Sequence, residues 1–546
     1  MLHRGSLLVA LVAFGVYAFL CPPVPGTGDA SEFVLVLATN GVAHPTGYPL
    51  YTLLGHLFCL ALHGLHAPWA LAASLWSAVG GAVTIYFLHA LGMELTEEEV
   101  APGAWARFLA ALVPVLLFAF QPILLAEATN AEVNAWNVAW TCAATYAFLR
   151  LLAEIAAGDA PPGRPTLRGA ALWGLICGAG IAHHLTSVLV SGPLSAGLLV
   201  ALALRRRLSR VSILAAAGSA LLMVASYGII AWRAWHPARV QWPSLVPDLT
   251  SLIHHVTGEQ YRHFLGYFAP APDQRALLAR FGYPFVFPGL ALLLWSAVRA
   301  RGRERRIGWW ALLAAAALVT GFTFRYGVPD PAPYFLPAMA LGAAAVGPAV
   351  ATIAGPRLLR QSLTIGILCL AGLALSVPWI RAGIRTRRDI LEFESMVRSM
   401  WAAVPADTAI VLWPDDRFIR LQEYQILHGE KPALLVLTPD MFVEDHTREQ
   451  ILTRFGADPL AGMTIPTLVP GSADEETLRR RFLDQVVQNV NRRVRNPVIM
   501  FDPTVPVVRR LRKPWEPPDR RAARALPPGH PPLAPGPGTA VSTTRP

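Results

Sequence analysis

Long apolar runs separated by short polar stretches set the pattern of this chain. They fall at about 6–21, 48–64, 69–91, 107–125, 136–155, 169–187, 188–204, 211–232, 281–298, 307–324, 335–354 and 362–381. A helix of about 18 or more apolar residues can cross the hydrocarbon core of a bilayer. The pattern therefore predicts a polytopic helical membrane protein. After about residue 382 it changes. The runs 409–413, 433–437 and 497–501 are short and apolar and read as strands, with a helix over about 417–428. Strands alternating with helices predict a small α/β domain. Asp415-Asp416 reads as a turn and helix cap. From about 514 the chain is rich in Pro, Arg and Gly, which predicts a disordered tail.

Composition sharpens the class. Charged residues are 15% and hydrophobic ones 54%, against roughly 25% charged in a soluble domain. The net charge of +11 does not indicate nucleic-acid binding, because much of it sits in short clusters between apolar runs. These are Arg205-Arg206-Arg207 with Arg210, then 299–306, then Arg357 with Arg360. Such clusters mark cytoplasmic loops. The five cysteines lie in or beside apolar segments without metal-type spacing and read as small core residues. Cys21-Pro22-Pro23 is a poor cleavage site, so the first run reads as a span rather than a signal.

Parity then decides the early topology. With the basic clusters inside, twelve spans put the N-terminus outside and Asp29 in the cytoplasm, whereas one non-spanning early segment puts the N-terminus inside and Asp29 outside; the second is adopted. The weakest is 48–64, which is short and carries Gly55, His56 and His63. It is expected to lie in the interface or to be re-entrant. Eleven spans result, with the N-terminus inside and the C-terminal domain outside. The acidic Glu94 and Glu97-Glu98-Glu99 then fall in a cytoplasmic loop, a mild objection because acidic residues weigh little in orientation.

This topology gathers polar groups on the outer side. Asp29, Glu32, His44 and Tyr48 fall in the first outer loop, and Glu127 and Glu132 in the second. His183 and His184 end a span. Tyr261 and Arg262 fall in the loop 233–280, and Arg325 and Asp330 in another. Each has a plain reading beside a functional one. Asp29 either caps a helix or takes a proton from an acceptor hydroxyl. His44-Pro45-Thr46-Gly47-Tyr48-Pro49 is either a turn with Tyr48 at the headgroups or the wall of a substrate site. The two adjacent histidines are interior residues or line that site, and zinc spacing is absent. Arg262 and Arg325 either snorkel or hold a phosphate.

Asp29-x-x-Glu32-Phe33, followed by Gly41-Val-Ala-His-Pro-x-Gly-Tyr-Pro-Leu-Tyr51, resembles the opening signature of the transmembrane protein 260-like family of GT-C glycosyltransferases, which includes a protein O-mannosyltransferase. The likeness continues in Ala131-Glu-Val-Asn134, Ala182-His-His-Leu-Thr186, Thr257-Gly-Glu-Gln-Tyr-Arg262, 328–337 and 409–424. Two departures are Ala30-Ser31, where the family usually has Ser-Gly, and Thr46, where it often has Pro.

The resemblance implies a mainly α, GT-C-type bundle with juxtamembrane helices in the first outer loop. The expected organisation is a transmembrane domain over 1–381, with that loop at 22–68, an extracytoplasmic α/β domain over 382–513 and the tail over 514–546. The resemblance also implies transfer of a hexose, mannose above all, from a polyprenyl-phosphate donor to a hydroxyl of an exported protein or a glycan. The expected setting is the outer face of a bacterial inner membrane. Asp29 is then the base, Glu32 and Glu132 shape or polarise the site, and Arg262 and Arg325 bind phosphate. The need for a metal is left open: the carboxylates could hold a divalent ion, while phosphate-linked donors often need none. The competing readings are a lipid or polysaccharide flippase and a non-catalytic envelope-assembly subunit. A flippase would place its charges near the bilayer midplane and show repeated, broken helices.

Overall fold

The computed structural model describes residues 2–26, 28–96, 104–157, 164–237, 245–265, 275–328, 330–354, 358–413, 417–466, 475–502 and 508–516. The Glu97–Glu99 run, the Asp415-Asp416 turn and the tail beyond Glu516 lie outside these residues. The chain divides into two compact units. One comprises Met1–Pro23 and Val36–Arg388, the other Val24–Leu35 and Asp389–Pro546.

The first unit is a helical bundle. Its chain runs through α1 (Leu2–Leu20), the end of α2 (Ala30–Thr39), α3 (Pro49–Gly64), α4 (Trp69–Leu95), α5 (Ala104–Phe118), α6 (Pro122–Thr129), α7 (Asn134–Ala157) and α8 (Arg164–His183). There follow α9 (Val188–Leu204), α10 (Arg210–Val224), α11 (Gly228–Trp235), α12 (Leu249–Thr257), α13 (Phe287–Arg299), α14 (Arg303–Arg325), α15 (Leu336–Ala344) and α16 (Val346–Ala354). The 45-residue α17 (Leu358–Ala402) begins in this unit.

Among the described residues, eight helices are long and apolar enough to cross a membrane, or nine if α5 and α6, bent by 79°, form one broken span. Pro122 opens α6, and Gln121 Oε1 accepts from the Ile123 amide, so the break has its own cap. Against the expected eleven spans, the two segments outside the count of nine are α1, whose apolar part Arg4–Leu20 is short, and α8, diluted by Arg164, Arg168 and glycines. The 16-residue α3 is outside it as well.

Small residues bring several helices close. An added Cβ on Gly174 would lie 2.0 Å from the Ala216 carbonyl oxygen, and one on Gly178 would lie 2.3 Å from that of Ala220. The α8–α10 seam is therefore a backbone-to-backbone contact of the small-xxx-small kind, where dispersion replaces a hydrophobic driving force. Gly289 on α13 and Gly342 on α15 face each other in the same way, with Gly342's added Cβ 2.6 Å from the Gly289 Cα.

The second unit holds a four-stranded sheet in the order β2-β1-β3-β4, made of β1 (Ile410–Leu412), β2 (Leu435–Leu437), β3 (Val498–Phe501) and β4 (Val508–Arg510). β1 pairs in parallel with β2 and β3, through Ile410 with Leu435 and Ile410 with Val498. β4 adds antiparallel to β3. β1 and β2 are buried throughout, as expected of parallel strands covered on both faces. Helices α18 (Phe418–His428), α19 (Asp445–Phe455) and α20 (Glu475–Arg493) accompany the sheet. Ile451, Val486 and Val490 join Ile410, Leu412 and Val498 in one core.

A buried ionic knot ties α18 to the end of α17. Arg420 pairs with Glu394 and, at 2.9 Å, with Glu423. Tyr424 donates to Glu394 at 3.0 Å, and Arg398 bridges Glu394 and Glu430.

Candidate active site

In the second unit's first segment, Asp29 is exposed and precedes α2, and its carbonyl accepts the Phe33 amide. Glu32 lies in the first turn of α2 and is buried, 4% exposed. Carboxylates at a helix start are favoured by the helix dipole, so the fold supplies part of the reason for both.

In the bundle, the motif after α2 is built into a fixed turn. Gly47 has φ +82°, and an added Cβ there would lie 2.3 Å from Ile230 of α11. Val42 packs with Ile230, Ala234, Leu245 and Leu252, so α11 and α12 support the turn from below. Tyr48, left-handed at φ 44°, precedes Pro49 and the start of α3.

From this turn a closed circuit of aromatic rings runs through four separate chain segments. His44 Nε2 lies 3.1 Å from the Tyr48 hydroxyl. The Tyr48 ring lies 5.4 Å from His184, and His184 5.9 Å from Tyr334. Tyr334 meets Tyr326 at 5.1 Å, Tyr326 meets Phe264 at 6.4 Å, and Phe264 stacks with Tyr261 at 6.2 Å. Tyr261 closes the loop on His44 at 6.4 Å, edge to face. Most of these contacts are T-shaped or tilted, the geometry ring quadrupoles favour.

Arg262 and Arg325 belong to two of these segments. Leu265 and Tyr326 form an isolated antiparallel bridge, and the Gly327 amide donates to the Phe264 carbonyl at 3.0 Å. The two arginine-bearing segments are thus tied side by side by backbone. Both arginines are exposed, and Arg262 also pairs with Glu259 at 2.8 Å.

The two adjacent histidines have different partners. His183 reaches the Val133 carbonyl through Nε2 at 3.3 Å and packs against Tyr51. A carbonyl only accepts, so Nε2 carries the proton and this ring fastens α8 to the start of α7. His184 Nδ1 accepts the Thr186 amide at 3.3 Å and lies 2.7 Å from the Thr186 hydroxyl. The neutral ring then carries its proton on Nε2 and can donate there. Both histidines are buried.

Glu132 gives its backbone amide to Ser77 Oγ at 2.9 Å, and Glu127 takes a bond from Asn134 at 3.0 Å. Both carboxylates act electrostatically on buried Tyr51. Asp330 accepts the Ala332 amide and opens the 3-10 turn Ala332–Phe335, which carries Tyr334. Of the residues singled out from sequence, His44, Tyr48, His184 and Tyr261 therefore meet directly, while His183 bonds the Val133 carbonyl and Asp330 the Ala332 amide. Tyr334, Tyr326 and Phe264 were not singled out. Tyr334 lies in a stretch that carries the family likeness, which was the available signal.

The fold is that of the GT-C membrane glycosyltransferases, mainly helical with a small α/β unit. The structure superposes on ArnT from Cupriavidus metallidurans, solved bound to undecaprenyl phosphate, with a TM-score of 0.51 and 11% identity over 82% of this chain and 94% of that one. An Archaeoglobus fulgidus oligosaccharyltransferase also aligns, with a TM-score of 0.46 and 15% identity, over 90% of this chain and 67% of that one.

Residues 29–226 match the N-terminal domain model of the protein O-mannosyl-transferase TMEM260. The span takes in Asp29, Glu32, the His44–Pro49 motif, Glu132 and both adjacent histidines, so it bears out the resemblance read from those motifs. The protein O-mannosyl-transferase tmem260 of Dictyostelium discoideum is 30% identical over 124 residues. That stretch is 22% of this chain and only 14% of the relative's length.

Proposed function

We propose that this protein is an integral-membrane glycosyltransferase that moves a hexose, mannose by its resemblance, from a polyprenyl phosphate to a hydroxyl acceptor. The acceptor class is a Ser or Thr of exported proteins. The reaction takes place at the extracytoplasmic face of a bacterial inner membrane. The observation that carries this reading is the aromatic circuit beside two arginine-bearing segments joined by backbone.

Aromatic rings give a sugar apolar faces to stack on. Arginine forks suit a phosphate, because a planar guanidinium offers paired charged donors. In the reaction the acceptor hydroxyl gives its proton to Asp29, and its oxygen bonds to the anomeric carbon. The bond from that carbon to the phosphate oxygen breaks, and the electron pair leaves with the phosphate. Arg262 and Arg325 balance the charge that collects there. The role of Asp29 rests on its place in the motif, and Glu32 and Glu132 are assigned to polarise the site.

The test is transfer from a labelled polyprenyl-phosphate mannose to a Ser/Thr-rich peptide by membranes containing the protein. Asp29→Asn is expected to lower the rate by about 100-fold or more, as for loss of a general base. No transfer by the wild type would refute the reading. Equal transfer by the variant would remove Asp29 from the reaction.

A further inference from the structure

His184 stands where a helix ordinarily has a Ser, Thr, Asp or Asn cap. α8 ends at His183, and the His184 ring caps the 3-10 turn Leu185–Ser187 by accepting the Thr186 amide at Nδ1, 3.3 Å away. An imidazole in that place uses one nitrogen for the cap and keeps the other for something else. The His184 backbone is held without help from its ring. Its amide donates to the Gly180 carbonyl at 2.7 Å, and its carbonyl accepts the Ser187 amide at 2.9 Å.

Thr186 brings a second group to the same nitrogen. Its hydroxyl lies 2.7 Å from Nδ1. A hydrogen on Nδ1 would face the hydrogen of the Thr186 amide, so Nδ1 accepts and the hydroxyl donates to it. One residue thus supplies both donors, and together they select the neutral ring with its hydrogen on Nε2. The ring lies between Tyr48 and Tyr334 of the circuit. Among the described residues Nε2 has no hydrogen-bond partner, yet it is not one of the unpartnered polar atoms sealed from solvent. An oxygen of a bound molecule can therefore reach it.

We propose that Thr186 is a positioning residue for the transfer reaction. It fixes His184 as a neutral Nε2–H donor to the oxygen that joins the anomeric carbon of the donor to its phosphate. This rests on the reading of the protein as a glycosyltransferase that uses a polyprenyl phosphate sugar. No proton leaves the ring. As the bond to the anomeric carbon breaks, that oxygen gains negative charge and the bond from Nε2 strengthens. The contact therefore acts on the transition state more than on the bound donor. The other tautomer would set a nitrogen lone pair against the same oxygen.

Thr186→Val keeps the shape and the backbone amide and removes the hydroxyl. For transfer from polyprenyl-phosphate mannose, kcat is expected to fall about fivefold to tenfold, the range for one hydrogen bond, with KM for the donor little changed. Thr186→Ser keeps the hydroxyl and should restore most of kcat. A double-mutant cycle separates positioning from folding. His184→Gln supplies an amide donor that has no tautomer to fix, so adding Thr186→Val to it should have no further effect. If Thr186→Val does not fold, Thr186→Ala takes its place in both backgrounds. The proposal is overturned by a Thr186→Val enzyme with the wild-type kcat, by a loss confined to KM, by Thr186→Ser as slow as Thr186→Val, or by an equal loss in both backgrounds. No transfer by the wild type would instead refute the glycosyltransferase reading, and this role with it.

Discussion

His44 Nε2 stands 3.1 Å from the Tyr48 hydroxyl, four residues on across a left-handed turn, and the two rings meet edge to face. This pair begins and ends the aromatic circuit, since Tyr48 leads to His184 and His44 leads to Tyr261. Tyr48→Phe keeps the ring and removes the bond. It is expected to lower transfer about fivefold to tenfold, the range for one hydrogen bond. His44→Ala, which opens the circuit, should cost more. Steady-state rates on membranes matched for protein content check the order of the two variants.

The arginine segments give a separable effect. If Arg325 and Arg262 bind the donor phosphate, replacing either with Ala should raise KM for the donor about tenfold, and Lys should restore only part of it. Arg262 shares its charge with Glu259 at 2.8 Å. Glu259→Gln should therefore lower KM for the donor at low ionic strength, with the difference shrinking as salt is added. A kcat effect without a KM effect would argue against phosphate binding.

The α8–α10 seam predicts a stability loss remote from the chemistry. Gly174→Leu or Gly178→Leu must push the helices apart, because a Cβ alone would sit 2.0 or 2.3 Å from a carbonyl oxygen of α10. Overpacking of this kind costs about 1–3 kcal/mol or more. The check is a lower melting temperature in detergent, read by loss of the monodisperse peak. Gly218→Ala on α10, where an added Cβ has no described neighbour within 4 Å, should be nearly neutral.

The ionic knot of the second unit makes stability depend on pH. Burial, opposed by Arg420 and reinforced by Glu394, raises the Glu423 carboxyl from 4.5 to about 7. The folded state then holds a proton that the unfolded state has released. The contribution is fully present below about 4.5 and is lost as pH rises towards about 7. Glu430 has the opposite sign. Its carboxyl is held below the usual range, with burial opposing and the bonds from Arg398 and Trp401 prevailing. Its contribution is therefore lost as pH falls into the acid range. Glu423→Gln should flatten the decline between pH 5 and 7 and leave the acid limb in place. The melting midpoint of Trp401 and Trp413 fluorescence, both rings being buried in this unit, measures it.

Several parts of the fold were legible because they depend on short stretches of chain. The strands at 410–412, 435–437 and 498–501 announce themselves as continuous apolar runs, which buried parallel strands require. β4 does not, because Val508–Arg510 is largely exposed and carries two arginines. The α5–α6 break follows from Gln121-Pro122, but the run 107–125 read as one straight span because hydropathy does not register direction. Asp330 stands among the outer-loop polar groups in the sequence, and the structure adds that its carboxylate accepts the Ala332 amide.

The sequence by itself determined the helices, the α/β unit, the acidic pair at the start of α2 and the rigid turn from His44 to Pro49. Each follows from residues a few positions apart, through periodicity, proline and glycine. The tertiary structure alone decided that Phe264, Tyr326 and Tyr334 join His44, Tyr48, His184 and Tyr261 in one circuit. Those rings come from distant segments, and their meeting is fixed by helix packing and by the Leu265–Tyr326 bridge. No local pattern encodes such contacts, because they depend on which helix faces touch.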